Sequence, residues 1–153
     1  MARGGFYAIQ SSEIRFGRDG RWYADGEPIA NRRIADLFSR HVRRDPQGGY
    51  VLRIGPETAS IVVEDTPYVV IGTRKGRGGG IEIELNDGSV EALDADSLRL
   101  GPDDVLYCRV KKGAERARFL RPAFHQVARY IEETRPGIFV LRLGGRAHPI
   151  ASL

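Results

Sequence analysis

Polar and apolar residues alternate over Glu13-Ile14-Arg15-Phe16, the period-two signature of a half-buried strand. Gly17-Arg18-Asp19-Gly20 then reads as a turn, with Asp-Gly supplying the positive φ of a tight reversal. Arg21-Trp22-Tyr23-Ala24 is the returning strand, and Asp25-Gly26 a second turn before Glu27-Pro28-Ile29. The period next becomes helical. Asn31 caps a helix expected to run to about Arg44, with Ile34, Leu37, Phe38, His41 and Val42 on one face. Asp45-Pro46-Gln47-Gly48-Gly49 stops it. Strands are expected at 50–54, 59–64, 67–72 and 81–85, a turn at Asn86-Asp87-Gly88, and another strand at 105–110. Pro122, at a first helical position, opens a second helix with Leu120, Phe124, Val127 and Ile131 on one face. Arg135-Pro136-Gly137 ends it before a strand at 138–143. The fold class is α+β, with many antiparallel hairpins and two helices.

The two helix-to-strand units overlay without a gap. Shifting 35–55 by 89 residues onto 124–144 pairs Arg40/Arg129, Gly48/Gly137, Val51/Val140, Leu52/Leu141, Arg53/Arg142 and Gly55/Gly144 as identities. Phe38/Val127, Val42/Ile131, Tyr50/Phe139 and Ile54/Leu143 pair large apolar or aromatic groups. The Val-Leu-Arg match in register with both flanking glycines points to an internal duplication. Asp19-Gly20 and Asp87-Gly88 supply one upstream turn to each half.

Composition adds limits. The chain has 153 residues, 41% hydrophobic and 29% charged, enough for one compact domain or two small ones and too apolar for disorder. No apolar run reaches the length of a membrane span, and Met1-Ala2-Arg3-Gly4-Gly5-Phe6 has no signal-peptide core, so a cytoplasmic globular protein is expected. One cysteine, Cys108, leaves no internal disulfide and no Cys-based zinc cluster. The net charge is +4, and all the cations are Arg except Lys75, Lys111 and Lys112. Residues 1–77 carry 13 bases and 9 acids, whereas residues 78–153 carry 11 of each. Charge comes in blocks: six Arg and two Asp over 32–53, eight acids and only Arg99 over 82–104, six bases and only Glu115 over 109–121. Such blocks either pair with one another or form an anion-binding surface.

Complete catalytic motifs are missing. The cluster Gly72-Thr73-Arg74-Lys75-Gly76-Arg77-Gly78-Gly79-Gly80 lacks the Gly-Lys-Ser/Thr of a phosphate loop, and the alternating Ile81-Glu82-Ile83-Glu84-Leu85 after it reads as a strand. A hairpin loop is the expectation there. His41, His125 and His148 have no metal-ligand spacing; His41 reads as a satisfied boundary residue and Cys108 as a small buried hydrophobe. Glu64 and Asp65 are adjacent in a strand end, so they point to opposite faces and form no acid/base pair. These residues favour neither an enzyme nor a metal or cofactor.

Asp19-Gly20-Arg21-Trp22-Tyr23, Gly26-Glu27-Pro28-Ile29, Leu37-Phe38-Ser39, Arg43-Arg44-Asp45, Val63-Glu64-Asp65-Thr66-Pro67-Tyr68 and Arg121-Pro122-Ala123-Phe124 together resemble the bacterial family catalogued as domain of unknown function 1285. His125-Gln126 departs from that family's aromatic-Glu pair, as does the Arg/Gly-rich loop of the middle hairpin. The resemblance implies a duplicated α+β architecture: an N-terminal domain over 1–66 and a pleckstrin-homology-like C-terminal domain over 67–153. It also implies a regulatory protein in signal transduction that binds a nucleotide-like anion in an interdomain groove. Candidate ligand-binding residues are Arg32, Arg33, Arg44, Arg121 and Arg129 for phosphate, Trp22 for stacking and Asp65 at the junction. The alternatives are nucleic-acid binding through the Arg-rich N-terminal half and a protein–protein interaction module without a small ligand.

Overall fold

The computed structural model describes residues 13–153; the start of the chain, where a signal-peptide core was sought, lies outside them. The chain divides into two compact units. One runs through Pro67 and takes in Asn86–Gly88; the other comprises Tyr68–Leu85 and Ser89–Leu153.

The first unit holds β1 (Ile14–Phe16), β2 (Trp22–Ala24), β3 (Glu27–Pro28), helix α1 (Arg32–Arg40), β4 (Val42–Arg44), β5 (Tyr50–Ile54) and β6 (Glu57–Val63). Its six-stranded sheet has the order β3-β2-β1-β6-β5-β4, antiparallel except for the β1–β6 pair. The two-residue loop between β2 and β3 is Asp25-Gly26, with φ of 49° and 85° at the two positions, as a twisted hairpin requires. Phe16, Trp22 and Phe38 pack together in the core, the Trp22 ring centre lying 4.8 Å from that of Phe16 at a tilt and 5.5 Å from that of Phe38 edge-on.

The second unit holds β7 (Tyr68–Lys75), β8 (Ile81–Leu85), β9 (Val90–Ala92), β10 (Arg99–Leu100), β11 (Leu106–Val110), β12 (Glu115–Phe119), helix α2 (Arg121–Ala128), β13 (Ile131–Arg135), β14 (Ile138–Leu143) and β15 (Arg146–Ser152). These strands form a sheet of order β13-β14-β15-β10-β11-β12-β7-β8-β9, with parallel pairs β10–β15 and β12–β7. Ala123 and Val127 of α2 pack into the core with Val70, Ile83, Leu85, Leu98, Val110 and Leu141. Among the described residues the protein is thus mixed α+β, with two antiparallel-dominated sheets and two α-helices. No described helix is long and apolar enough to cross a membrane.

Both helices are shorter than their apolar periodicity predicts, for the same reason. Asn31 caps α1 as expected, its side chain accepting from the amides of Arg33 (2.9 Å) and Ile34 (3.3 Å). At the other end the His41 amide donates to Phe38 O at 2.9 Å, and the His41 ring nitrogen Nδ1 meets Leu37 O at 2.7 Å. The His41 carbonyl then accepts from Arg53 N at 3.0 Å, which draws the chain into the sheet. In α2 the Tyr130 amide donates to Val127 O at 3.0 Å, and the Tyr130 carbonyl accepts from Arg142 N at 2.8 Å. Val42 and Ile131 sit four residues after Phe38 and Val127, so they continue a helical stripe on paper. In the fold each opens a strand and reaches the same core from there. Strands β4, β9, β10, β12, β13 and β15 were not anticipated.

Candidate anion site

The residues expected to bind a ligand are divided between the two units. Trp22 is corrected from a stacking platform to a core residue: it is 2% exposed, its ring packs against Phe16 and Phe38, and its Nε1–H donates to Ser39 Oγ at 2.9 Å. Arg32 and Arg33 are exposed in the first turn of α1, and Arg44 is exposed on β4, beyond the other end of that helix. The nine-residue helix is about 13 Å long at 1.5 Å per residue. Arg44 lies cross-strand from Tyr50, its guanidinium carbon 5.4 Å from the ring centre. Asp65 is half-buried in the first unit. In the second unit Arg121 and Arg129 are exposed at opposite ends of α2, with Arg129 lying 5.9 Å from the Tyr130 ring centre.

The glycine cluster forms the expected hairpin loop. Gly76 N donates to Gly80 O and Gly80 N to Arg77 O, so these amides close the turn. A Cβ on Gly79 would lie 3.1 Å from Gly144 Cα, a backbone approach that needs glycine there. The adjoining 330 Å³ cleft carries Lys75, Tyr130 and Arg142, but Arg142 is paired with Glu132 at 2.6 Å. Beside it, Gln126 Oε1 accepts from Thr73 N at 2.7 Å, at the irregularity in β7.

Three bases of the block at 109–121, Arg109, Arg116 and Arg118, come to one face of a sheet. Strand alternation buries Leu106, Cys108, Val110, Ala117 and Phe119 in the core. That leaves Tyr107, Arg109, Arg116 and Arg118 on the opposite face. Register places Arg109 directly across from Arg116, and Tyr107 between Arg99 and Arg118. With Ser97 and Ser152, the residues Arg99, Tyr107, Arg109 and Arg116 line a pocket of about 230 Å³. Arg99 Nη1 donates to the carbonyls of Asp96 (3.0 Å) and Leu98 (2.7 Å), which fixes the guanidinium and leaves its Nε–Nη2 edge available. Arg116 sits 6.0 Å from the Tyr107 ring centre. Ser97 Oγ donates to Asp94 O and accepts from Arg109 N, so it holds β11 against the preceding loop.

The three guanidinium groups of Arg99, Arg109 and Arg116 have no carboxylate partner among the described residues. Asp96, the acid closest in sequence to Arg99, turns to His148, whose Nδ1 lies 2.8 Å from it; that hydrogen bond holds the Asp96 carboxyl below its usual range. Like charges directly opposite across a ladder, as at Arg109 and Arg116, cost stability unless something neutralises them. Cys108 borders the pocket but is 1% exposed, and burial, with Glu91 and Asp94 nearby, pushes its thiol up to about 12. It is therefore a protonated core residue at neutral pH. Among the described residues no group of His, Cys, Asp and Glu could hold a metal ion.

Arg109 and Arg116 were missed as site residues because the block over 109–121 gives charge without a face, and Arg99 because it stands alone among the acids of 82–104. The alternation Glu115-Arg116-Ala117-Arg118-Phe119 was the available signal.

Residues 7–66 match the family model described as domain of unknown function (DUF1285), N-terminal domain. The first unit is a DUF1285 N-terminal domain. Two crystal structures of DUF1285 family proteins share the fold. The protein from Silicibacter pomeroyi DSS-3 is 22% identical over 94% of this chain and 81% of its own, with a TM-score of 0.70. The protein from Shewanella baltica OS155 is 18% identical over 76% of this chain and 90% of its own, with a TM-score of 0.60. None of the curated proteins matches the chain. At these identities the likeness to the two DUF1285 structures is one of fold, and the arginine pocket stands on its own geometry.

Proposed function

We propose that this chain is a binding or regulatory module for a small anionic molecule, with its site in the second unit, and that it is not an enzyme. The observation that carries the reading is a pocket lined by Arg99, Arg109 and Arg116 whose guanidiniums have no carboxylate partner among the described residues. Charge-assisted hydrogen bonds from planar guanidinium forks suit an oxyanion at such a place. The nearby thiol is protonated, which supports binding over nucleophilic chemistry.

The two units are read as products of an internal duplication. Helix, hairpin and final strand begin at Arg32, Val42 and Glu57 in one unit and at Arg121, Ile131 and Arg146 in the other, each pair 89 residues apart. The cross-strand pairs Val42↔Leu52 and Leu52↔Ala59 recur as Ile131↔Leu141 and Leu141↔His148. The β1–β2 turn, closed by Gly17 N donating to Arg21 O, has its counterpart in Gly101 N donating to Val105 O, and not in the Asp87-Gly88 turn. A pleckstrin-homology-like character for the second unit, and a role in signal transduction, rest on the family resemblance.

The test is a thermal-shift screen of the full chain against phosphate, nucleotides and phosphorylated metabolites at fixed ionic strength. Ligand binding raises the midpoint as RT ln(1+[L]/Kd). A response that an R109A/R116A double variant loses and an R44A/R121A variant keeps supports the pocket. The reverse pattern, or no response to any anion, overturns it. Nucleic-acid binding through Arg32, Arg33, Arg40 and Arg53 is the second reading, since these exposed cations have no carboxylate partner among the described residues. It requires oligonucleotide affinity that falls steeply with salt.

A further inference from the structure

The strand pairing around the pocket has a counterpart in the first unit, and the two places differ in the charges they carry. In the first unit Arg15 pairs with Tyr23 across β1–β2, and Glu64 N donates to Phe16 O where β6 runs parallel to β1. In the second unit Arg99 pairs with Tyr107 across β10–β11, and Leu153 N donates to Leu100 O beyond the parallel β10–β15 pair. Counting from these shared bonds, Arg99 stands where Arg15 stands, Ser97 where Glu13 stands, Leu153 where Glu64 stands, and Arg109 where Asp25 stands.

Arg15 is closed by carboxylates. Its Nε and Nη2 donate side by side to the two oxygens of Glu13 at 3.2 and 2.9 Å, and its Nη1 donates to Glu64 at 3.3 Å. At the equivalent place around Arg99 these acids are a serine and a leucine, and an aspartate has become a third arginine. The Nε–Nη2 edge that grips Glu13 in the first unit is the edge left available on Arg99.

We propose, resting on the reading of this pocket as an anion site, that the Nε–Nη2 edge of Arg99 takes the oxyanion of a phosphomonoester in place of the missing carboxylate. Arg109 and Arg116 neutralise its second negative charge. Two charges fit better than one: a single carboxylate takes the Nε–Nη2 edge of Arg15, whereas this pocket adds two further guanidiniums beside the same edge of Arg99. A volume of about 230 Å³ lies below the usual span of small-molecule pockets, roughly 300–1,000 Å³, so it takes the phosphate end and leaves the remainder of the molecule outside. Arg116 already occupies the neighbourhood of the Tyr107 ring, so the pocket offers no aromatic face for a base. The ligand class is therefore a small phosphorylated compound recognised by its phosphate.

The first unit supplies the test. Ser97→Glu rebuilds beside Arg99 the acid that Glu13 places beside Arg15, and Ser97→Gln has the same size without the charge. Glycerol 3-phosphate, inorganic phosphate and acetate are titrated into the full chain at matched ionic strength, with melting midpoint and calorimetric affinity as readouts. The expected result is a response to both phosphates that exceeds acetate, survives in S97Q, and is lost in S97E. Arg99→Lys, which keeps the charge and lacks the fork, binds about tenfold to a hundredfold more weakly, the loss of one charge-assisted pair. If S97E and R99K both respond like the wild type while R109A/R116A does not, the anion site stands and the headgroup position is wrong. Acetate equal to phosphate refutes the dianion. No response to any anion in the wild type overturns this inference together with the reading it rests on.

Discussion

The indole Nε1–H of Trp22 and the hydroxyl of Ser39 form a buried polar pair inside the first unit, at 2% and 4% exposure. Ser39 Oγ accepts from Trp22 at 2.9 Å and from Asn86 Nδ2 at 2.9 Å. Replacing Ser39 with Ala removes the acceptor and leaves the indole donor no water to turn to. A buried donor stranded in this way costs about 1–3 kcal/mol, whereas the part-buried Asn86 amide can recover solvent and adds little. The expected loss is about 2 kcal/mol. In a unit of this size each kcal/mol moves the midpoint by roughly 4–8 °C, so the first unit should melt about 8–16 °C lower. Trp22 is the only tryptophan in the chain, so its fluorescence reports on that unit alone. A second arm separates the hydrogen bond from packing. In a Trp22→Phe background no donor remains to be stranded, and Ser39→Ala should then cost at least about 1 kcal/mol less, read by hydrogen exchange of the core amides. A Ser39→Ala loss below about 0.5 kcal/mol, or no coupling between the two sites, refutes the account of the pair.

Three further outcomes follow from single sites. Cys108, with its thiol pushed up to about 12 from 9.0, should resist a thiol-specific disulfide reagent at mildly alkaline pH; its thiolate fraction is about a thousandfold below that of a free thiol. Labelling in the native state as fast as in urea would contradict this. The Asp96 carboxyl is held below its ordinary value of 3.8 by its hydrogen bond with His148, so its contribution is present above that value and lost as pH falls through the lowered one. The stability gap between wild type and Asp96→Asn, measured near about pH 6, should therefore close under strong acid; a gap that widens would reverse the sign. Lys112 sits exposed in the left-handed region at φ 58°, so Lys112→Gly should raise stability by up to about 1 kcal/mol in urea unfolding, and a loss would show that its side chain makes a contact worth more than the strain.

Local chemistry was legible in the amino-acid sequence. The Asp25-Gly26 reversal, the Asn31 cap and the strands Tyr50–Ile54, Ile81–Leu85 and Ile138–Leu143 follow from backbone preference and period-two alternation, forces that act within a few residues. The match of apolar positions at a shift of 89 was visible for the same reason, since each helix-to-strand unit turns those positions to its core. Where the helices end was decided by tertiary structure: Val42 and Ile131 suit a helix, but the carbonyls of His41 and Tyr130 are claimed by strand amides 12 residues further on, at Arg53 and Arg142. Trp22 looked available because a strand has two faces and alternation does not say which one the core takes. The arginine pocket was hidden for a related reason. Arg99, Arg109 and Arg116 come together only through the register of β10, β11 and β12, and register depends on pairing between segments distant in the chain. Which residues carry charge was set by the sequence, and which of those charges lack a partner was set by the fold.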